Sequence, residues 1–294
     1  MKILLTGADG FTGRPFALAA SAAGHEIVSL QANLTNATAV AQEVSQLGPE
    51  AVVHLAAISF VGHADNSAFY TVNVVGTTNL LAALAALPVS PRKVLLASSA
   101  NVYGNCDASP ITEEQRPAPV NHYAMSKLAM EYMAHSYAEK LPIVVTRPFN
   151  YTGPGQAVNF VIPKLVDHFA RGAASIALGN LNVEREFNDV QMVCSVYLQL
   201  LKHGEPGETY NVCSGQPYTL QHVLNLLTRI TGHSIKIEVN PAFLRIHEVH
   251  RLCGSPLKLQ RILQKHNATI NSLTLRDTLS NMLLAARSAP LLNN

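Results

Sequence analysis

The first half of the chain alternates short runs of Val, Ile and Leu with longer, helix-like stretches rich in Ala and Leu. The short runs are almost continuously apolar, as expected of strands that are buried on both faces of a sheet. The pattern predicts strands at Lys2–Thr6, Glu26–Leu30, Ala51–Leu55, Lys93–Ser98 and Ile143–Arg147. It predicts helices at Phe11–Ala23, Ala37–Leu47, Phe69–Leu87 and His122–Glu139. Because strands alternating with helices form βαβ units, we expect an α/β fold with a doubly wound parallel sheet.

The pattern changes after Pro148, where turn-rich pieces interrupt it at Tyr151–Gln156 and Leu178–Asn182. The later predicted elements are a helix, a strand and a further helix, at Val190–Lys202, Thr209–Cys213 and Leu220–Thr231. The first two predict a return to the sheet. We therefore expect one domain from residues 1–150 plus about 187–213, and a smaller C-terminal lobe from about 151–186 plus 214–294.

Composition and charge narrow the classes of function. Of the 294 residues, 48% are hydrophobic and 14% are charged, which fits a folded globular protein. The 21 basic and 19 acidic residues leave a net charge of +2 without a basic stripe, so we expect no nucleic-acid partner and no membrane partner. The N-terminal run MKILL is too short for a signal peptide, and no stretch approaches the roughly 18 apolar residues of a membrane span. These observations predict a cytoplasmic protein.

The cysteines predict neither a metal site nor a disulfide framework. Cys106, Cys194, Cys213 and Cys253 lie far apart in the sequence and form no CxxC pair. Reduced, structural thiols are the expectation for such spacing.

A glycine-rich segment, TGADGFTG, follows the first predicted strand and opens the first predicted helix. Gly7 allows a tight turn, Gly10 lets the backbone approach a pyrophosphate, and Gly13 permits close packing of the helix on the strand. The helix start adds N–H groups and a positive dipole end for the phosphates. In this setting the three glycines predict a Rossmann-type site for a nicotinamide dinucleotide, NADP(H) or NAD(H).

The end of the second strand bears on the choice of cofactor. An acidic residue there normally holds the adenosine ribose, but Leu30 is followed by Gln31, Ala32 and Asn33. No carboxylate is present to repel a 2′-phosphate, and Arg14 follows the last glycine. This favours NADPH and leaves NADH open, since Arg14 is equally well interpreted as a solvated residue of the first helical turn.

Three residues form a candidate catalytic set. Tyr123 and Lys127 are four residues apart and so share one face of a helix. A neighbouring ammonium favours the phenolate and would bring the tyrosine pKa down from its usual value of about 10. Ser99 lies at the carboxyl end of the fourth strand, where open α/β sheets bind ligands. The pattern predicts that Ser99 hydrogen-bonds a substrate carbonyl while Tyr123 supplies the proton.

With these residues in place, the chain resembles the extended short-chain dehydrogenase/reductase family over nearly its whole length. The motifs that carry the resemblance are TGADGFTG, HLAA, SSANVYG, YAMSK, RPFN and EREFNDV. The resemblance implies a dinucleotide-binding domain, a smaller substrate-binding lobe and a homodimer formed through a helix bundle. The helices Phe69–Leu87 and His122–Glu139 carry apolar residues on more than one face, and we expect the face with Leu80, Leu84 and Met130 to pack against the second subunit. It also implies a set of cofactor contacts: Gly7, Gly10, Phe11, Thr12, Gly13, Arg14, Asn33, Leu34, Leu55, Ala56, Ala57, Asn73, Tyr123, Lys127 and Pro148.

The family contains dehydratases, epimerases and reductases. An elimination needs a general acid and base after the catalytic hydroxyl, and Ala100 and Asn101 exchange no proton, so dehydration is disfavoured. The stretches RPFNYTGPGQ, GNLNVEREFNDV and YNVCSGQ resemble the branch that reduces GDP-linked 4-keto-6-deoxy sugars. A nucleotide-sugar epimerase and a non-catalytic dinucleotide-sensing regulator remain the alternatives.

A nucleotide-diphosphate sugar needs cations for its phosphates, and arginine binds phosphate through two parallel hydrogen bonds. Arg185 and Arg245 are the candidates, together with Asn150 for a phosphate oxygen or sugar hydroxyl. The resemblance implies that Glu248 holds the nucleotide ribose. The sequence departs from the family pattern at Asn33, Met192 and His122, and the first departure puts the adenine contacts in question.

Overall fold

The computed structural model describes residues 1–240 and 249–288. The strands are β1 (Lys2–Thr6), β2 (Glu26–Ser29), β3 (Ala51–His54), β4 (Lys93–Ala97), β5 (Ile143–Pro148), β6 (Tyr151–Thr152), β7 (Ser175–Leu178), β8 (Glu184–Arg185), β9 (Asn188–Asp189), β10 (Thr209–Val212), β11 (Tyr218–Thr219), β12 (Lys236–Val239) and β13 (Arg251–Leu252).

The helices are α1 (Gly13–Ala22), α2 (Ala37–Leu47), α3 (Asn66–Tyr70), α4 (Thr77–Ala85), α5 (His122–His135), α6 (Val161–Ala170), α7 (Val190–His203), α8 (Leu220–Thr231), α9 (Leu257–Lys265) and α10 (Leu275–Ser288). A π-helical turn, Thr71–Gly76, joins α3 to α4, and a 3₁₀ turn, Ala100–Tyr103, follows β4.

The main sheet has six strands in the order β10-β5-β4-β3-β1-β2, and all of its neighbours are parallel. The chain moves from β1 to β2 on one side and to β3 on the other, so the strand order reverses at β1. Ligands of open α/β sheets bind outside the carboxyl ends of the strands at such a point. The predicted doubly wound, Rossmann-type sheet is confirmed.

Helices cover both faces of this sheet. Phe16 of α1 and Tyr197 of α7 belong to the buried cluster on one face, and Val40 of α2 and Leu81 of α4 belong to the cluster on the other. Side-chain caps start several helices where the sequence provides them: Asn36 Oδ1 accepts from the Ala39 N–H at α2.

One helix among the described residues, Asn66–Ala85, has the length and mean hydropathy, 1.3, of a membrane span. Its residues Phe69, Leu80 and Leu84 are fully or almost fully buried, and the last two pack in the core beside the sheet. The prediction that Leu80, Leu84 and Met130 form an outer face for a second subunit is therefore wrong, because all three point into the core of the same chain.

A smaller lobe lies beyond the main sheet. Its core is built from α6, α8 and α10, with Leu165, Leu227 and Leu279 fully buried. Short β-ribbons, β12-β7 and β11-β8-β13, complete it. Helix α9 departs from the division expected from the sequence, because its Leu259 and Ile262 pack in the core of the main sheet.

Candidate active site

A cleft of about 1310 Å³ opens at the carboxyl ends of the strands, between the main sheet and the smaller lobe. It contains fourteen of the predicted site residues: Gly7, Gly10, Phe11, Thr12, Gly13, Leu55, Ala56, Ala57, Ser99, Tyr123, Lys127, Pro148, Asn150 and Arg185. The fold thus brings together residues that are as much as 178 positions apart, from Gly7 to Arg185.

The glycine loop fits the phosphates of a dinucleotide. Gly7 has a φ of +70°, and a Cβ at this position would lie 2.8 Å from the Ala56 nitrogen. A Cβ at Gly13 would lie 2.0 Å from the Gly7 carbonyl oxygen, so α1 packs on the loop only with glycine there. A Cβ at Gly10 would meet only that same oxygen, at 3.1 Å, and would otherwise extend into the open cleft. These are the separate roles that the spacing predicts for the three glycines.

The segment after β3, Leu55–Ala57, forms the cleft wall beside the glycine loop. Thr6 holds this segment in place. The Thr6 hydroxyl oxygen accepts the N–H groups of Leu55 at 3.2 Å and Ala56 at 3.1 Å. The same hydroxyl donates a hydrogen bond to Nδ1 of His54, 2.7 Å away. This single hydroxyl therefore ties β1 to the cleft wall.

The tautomer of His54 follows from its partners. The Thr77 hydroxyl donates to the Asn73 carbonyl at 2.7 Å, so it must accept from His54 Nε2, 2.8 Å away. Nδ1 is then the acceptor for Thr6, and the ring is neutral. Burial, aided by the charge of Lys127, lowers the pKa of His54 to about 3.

Asn73 was predicted as a cofactor contact, but the cleft does not include it. Its Oδ1 accepts from the Ile58 N–H at 2.9 Å, and its Nδ2 donates to the Ile58 carbonyl at 3.2 Å and to Ser126 at 3.0 Å. The side chain is 1% exposed. Asn73 therefore fixes the chain just after Leu55–Ala57 from its buried side, and its predicted direct contact with the cofactor stays a prediction.

Three further predicted cofactor contacts lie outside this cleft. Arg14 is exposed on α1, and Leu34 is buried in the core beside α2. Asn33 closes a turn by accepting from the backbone and side chain of Thr35 at 3.0 and 2.9 Å. Their predicted roles concern the adenosine end of the cofactor and stay predictions.

The three candidate catalytic residues meet within the cleft. Asn121 caps α5 by accepting the Ala124 N–H at 2.9 Å, and Tyr123 and Lys127 follow on one helix face. The Ser99 hydroxyl lies beside the Tyr123 phenol. Lys127 Nζ donates to the Ala97 carbonyl at 2.7 Å. Serine, tyrosine and lysine are thus held against the end of β4.

Burial dominates the ionisation of this set. It raises the pKa of Tyr123, and the neighbouring Ser99 hydroxyl acts in the opposite direction. It lowers the pKa of Lys127 to about 8, opposed by the carboxylate of Glu131. The sequence led us to expect that Lys127 lowers the Tyr123 pKa, whereas Ser99 is the group that does so here.

Several residues that line the cleft were given no positive role by the sequence, namely Asn101, Tyr151, Phe60 and Phe160. Asn101 Nδ2 donates to the Ser99 hydroxyl at 3.1 Å. The Tyr151 phenol pairs with the Thr12 hydroxyl at 2.9 Å, and its ring stacks on Phe11 at 5.8 Å between centroids. Phe60 meets Phe160 edge to face at 5.8 Å. Tyr151 lies in the stretch RPFNYTGPGQ, but neither it nor Phe60 has a side chain whose spacing indicates a role in the site, so only the fold shows that they line the cleft.

The two described substrate candidates line the same cleft. Asn150 is exposed there, and its backbone carbonyl accepts from the Asn188 N–H at 3.0 Å. Arg185 donates to the carbonyls of Glu184 at 2.9 Å and His250 at 3.2 Å, and also to that of Val249. Arg245 and Glu248 lie outside the described residues.

A buried carboxylate organises the segment around Arg185. Glu186 is fully buried, and its Oε2 accepts from Asn188 Nδ2 at 3.0 Å, the Ser214 N–H at 2.7 Å and the Gly215 N–H at 3.3 Å. Its Oε1 accepts from the Gly254 N–H at 2.7 Å. The motifs EREFNDV and YNVCSG therefore meet through Glu186, which shapes the lobe side of the cleft.

Metal chemistry finds no support in the described residues. Within residues 1–240 and 249–288, no group of three or more His, Cys, Asp and Glu side chains is arranged to hold an ion. All four cysteines, which lie in those ranges, are free thiols.

Two relatives that match most of the chain are named for enzymes of GDP-linked 6-deoxy sugars. The chain is 37% identical over 268 residues to the GDP-6-deoxy-D-talose 4-dehydrogenase of Aggregatibacter actinomycetemcomitans, covering 90% of this chain and 91% of the relative. It is 41% identical over 222 residues to the GDP-6-deoxy-D-mannose reductase of Pseudomonas aeruginosa, covering 72% and 73%.

The fold has a solved counterpart that contains a cofactor. The structure of RMD from Pseudomonas aeruginosa complexed with NADPH superposes with a TM-score of 0.88 at 34% identity, over 98% of this chain and 99% of the other. The family model for the NAD dependent epimerase/dehydratase family matches residues 3–213, which include the glycine loop and the Ser99, Tyr123 and Lys127 set. The chain therefore belongs to the NAD-dependent epimerase/dehydratase family, as an enzyme that uses a nicotinamide dinucleotide, NAD(H) or NADP(H).

Proposed function

We propose that this enzyme is an NAD(P)H-dependent reductase of a nucleotide-linked 4-keto-6-deoxy sugar, and that it converts GDP-4-keto-6-deoxy-mannose to GDP-6-deoxy-mannose (GDP-rhamnose). The observation that carries the proposal is the meeting of Ser99 and Tyr123 in the cleft, with Lys127 one helical turn away and anchored on the Ala97 carbonyl at 2.7 Å. Such a set protonates a carbonyl oxygen as it is reduced. The substrate class is supported by the names of the two relatives, both of which refer to GDP-linked 6-deoxyhexoses.

The chain's own groups divide the work of the reaction. The bound dinucleotide supplies the hydride. Ser99 donates to the substrate carbonyl and orients it, and Tyr123 gives its phenolic proton to the oxygen as negative charge develops. Lys127, beside them on α5, holds the nicotinamide ribose and keeps a positive charge near the phenol. The high pKa of the buried Tyr123 keeps its proton in place until the transfer begins.

Elimination of water lacks its acid–base groups in this site. Ala100 has no ionisable group, and Asn101 uses its amide to donate to Ser99 at 3.1 Å. A dehydratase would need a carboxylate or similar group at these positions to move a proton between neighbouring carbons. Reduction needs only the proton of Tyr123 and so suits the residues present.

The product has a second candidate, GDP-6-deoxy-D-talose, which differs from GDP-6-deoxy-D-mannose only at carbon four. The observation that favours it is the relative named for that sugar, which covers 90% of this chain. Both products come from the same ketone, and the face that receives the hydride decides between them.

We assign the remaining predicted residues to the two ends of the cleft. The glycine loop and Leu55–Ala57 hold the dinucleotide. No acidic residue follows β2 in the sequence, but the Glu43 carboxylate accepts the N–H groups of Gln31 at 2.8 Å and Ala32 at 2.7 Å at that strand end, so NADPH and NADH both remain candidates. Asn150 and Arg185 bind the diphosphate of the sugar nucleotide, and the predicted partners Arg245 and Glu248 serve the same ligand. In this assignment the main sheet binds the cofactor and the smaller lobe binds the substrate.

The test is a panel of 4-keto nucleotide sugars, with NADPH loss followed by absorbance and the product identified by the proton couplings at carbon four. We expect one NADPH consumed per GDP-4-keto-6-deoxy-mannose reduced. An epimerase would instead retain cofactor through purification and interconvert sugars without consuming NADPH. Turnover of that second kind would refute the reductase.

A further inference from the structure

Three consecutive residues at the end of β4 contact three residues spaced four apart on α5. Ser99 lies beside Tyr123, and Lys127 donates to the Ala97 carbonyl at 2.7 Å. Between them in the sequence, the Ser98 hydroxyl donates to Oε1 of Glu131. Residues four apart lie along one face of a helix, so Tyr123, Lys127 and Glu131 form a single row facing the strand end.

Glu131 is fixed more firmly than the other two members of the row. It is 4% exposed, and Arg147 of β5 reaches it with two parallel hydrogen bonds, Nε to Oε1 at 3.0 Å and Nη2 to Oε2 at 2.6 Å. Arg147 is itself held by the Tyr103 phenol, 3.1 Å from Nη1, and that phenol donates to Asn211 Oδ1 at 2.7 Å. The chain of contacts thus links α5 to β4, β5 and β10.

We propose that Glu131, held by Arg147 and Ser98, is a positioning residue whose fixed carboxylate keeps the Lys127 ammonium charged beside the bound dinucleotide. The inference rests on the proposed function, in which Lys127 holds the nicotinamide ribose. It assigns to the buried pair a role in cofactor binding in addition to its contribution to packing.

The charges around Lys127 give this role its physical basis. Burial lowers the pKa of Lys127 to about 8, close to neutrality, and Glu131 is the group that raises it. The other groups that face Lys127 do not replace this carboxylate. Tyr123 is uncharged because burial raises its pKa, and His54 is neutral because its pKa lies near 3. Without Glu131, a large share of Lys127 would lose its proton at neutral pH.

The experiment measures NADPH affinity by fluorescence titration from about pH 6 to about pH 10, without any sugar substrate. In the wild type we expect the affinity to fall on the alkaline side as Lys127 loses its proton. In Glu131→Gln the midpoint of that fall should move to lower pH by about one pH unit. The matched control is Tyr103→Phe, which removes a partner of Arg147 and leaves the carboxylate, so the protein should lose stability while the midpoint stays.

Every outcome decides the inference. A Glu131→Gln variant that binds NADPH more weakly by the same factor at every pH, or a wild type with no alkaline fall, overturns it. If Arg147, left unpaired, prevents Glu131→Gln from folding, the double variant Glu131→Met with Arg147→Met removes both charges. Its midpoint should move in the same direction by a smaller amount, because loss of the Arg147 cation partly offsets loss of the carboxylate. Because no ketone is present, a displaced midpoint with no reductase activity would refute the proposed function and leave the inference standing.

Discussion

Tyr123 and Lys127 occupy one helix face, but their surroundings assign them different tasks. Tyr123 lies beside Ser99, while Lys127 is anchored on the Ala97 carbonyl. His54 and Glu131 act one step farther from the cleft, the first through Thr6 and the second through Ser98. The residues of the cleft are therefore held by buried polar partners, His54 and Glu131, that do not line it.

Replacing Tyr123 by Phe should remove the proton donor and leave the binding groups in place. We expect Tyr123→Phe to lower turnover by about two to four orders of magnitude, with cofactor affinity little changed. Lys127→Ala should damage both, because the lysine has two roles. Stopped-flow absorbance of bound NADPH with a GDP-linked 4-keto sugar measures turnover. Wild-type rates in Tyr123→Phe would refute the assignment of this residue.

Because His54 is buried and neutral, we expect the folded protein to lose stability in mild acid. Its folded-state pKa of about 3 lies below the value near 6.5 expected in the unfolded chain, so the unfolded state binds the extra proton between these values. Stability is complete above pH 6.5 and falls as the pH drops through it, by about 2 kcal/mol at pH 5 from this group alone.

The control is His54→Gln, whose amide can accept from Thr6 and donate to Thr77 without titrating. Urea unfolding at pH 7.5 and pH 5 should show that the wild type loses about 2 kcal/mol more than this variant. Equal losses in the two proteins would contradict the assignment of a buried neutral imidazole.

At the scale of elements, the loop between β1 and α1 separates a binding role from a packing role. Gly10→Val places its side chain in the cleft and should abolish dinucleotide binding in calorimetry while the protein stays folded. Gly13→Val drives a Cβ to within 2.0 Å of the Gly7 carbonyl and should destabilise the fold itself. Undiminished binding by Gly10→Val would count against the site, and a thermal unfolding scan checks that this variant is folded.

The predicted helix bounds agree with the structure where the sequence supplies a capping side chain. Helices α2 and α8 have the bounds that the pattern predicts, and Asn36 and Thr219 cap them. Helix α1 starts two residues later than predicted, because residues 10–12 form the turn of the glycine loop. The π-helical turn that brings Asn73 to Ile58 left no signal in the periodicity, since it depends on contacts across the fold.

At the scale of the whole molecule, the homodimer stays a prediction, but the residues expected at its interface change. Val75 in the π-helical turn, and Met125 and Tyr132 on α5, are 49%, 44% and 64% exposed and give these helices an apolar outer surface. We expect a dimer by light scattering at micromolar concentration, since two-fold pairing is the commonest assembly. Met125→Glu with Tyr132→Glu should give a monomer, whereas Leu18→Glu on α1, across the sheet, should not. A monomeric wild type would overturn this prediction.

The sequence by itself determined the parallel α/β architecture, the glycine loop and the Ser99, Tyr123 and Lys127 set, because each of these is written in local periodicity or in fixed spacing along the chain. Only the tertiary structure decided which predicted contacts reach the cleft, that Leu80 and Leu84 face the core, and that Tyr151 and Asn101 join the site. It also decided the pairing of Glu131 with Arg147 and the tautomer of His54. These features depend on groups that are distant in sequence and meet only when the sheet and its helices close around them, where burial sets their charge.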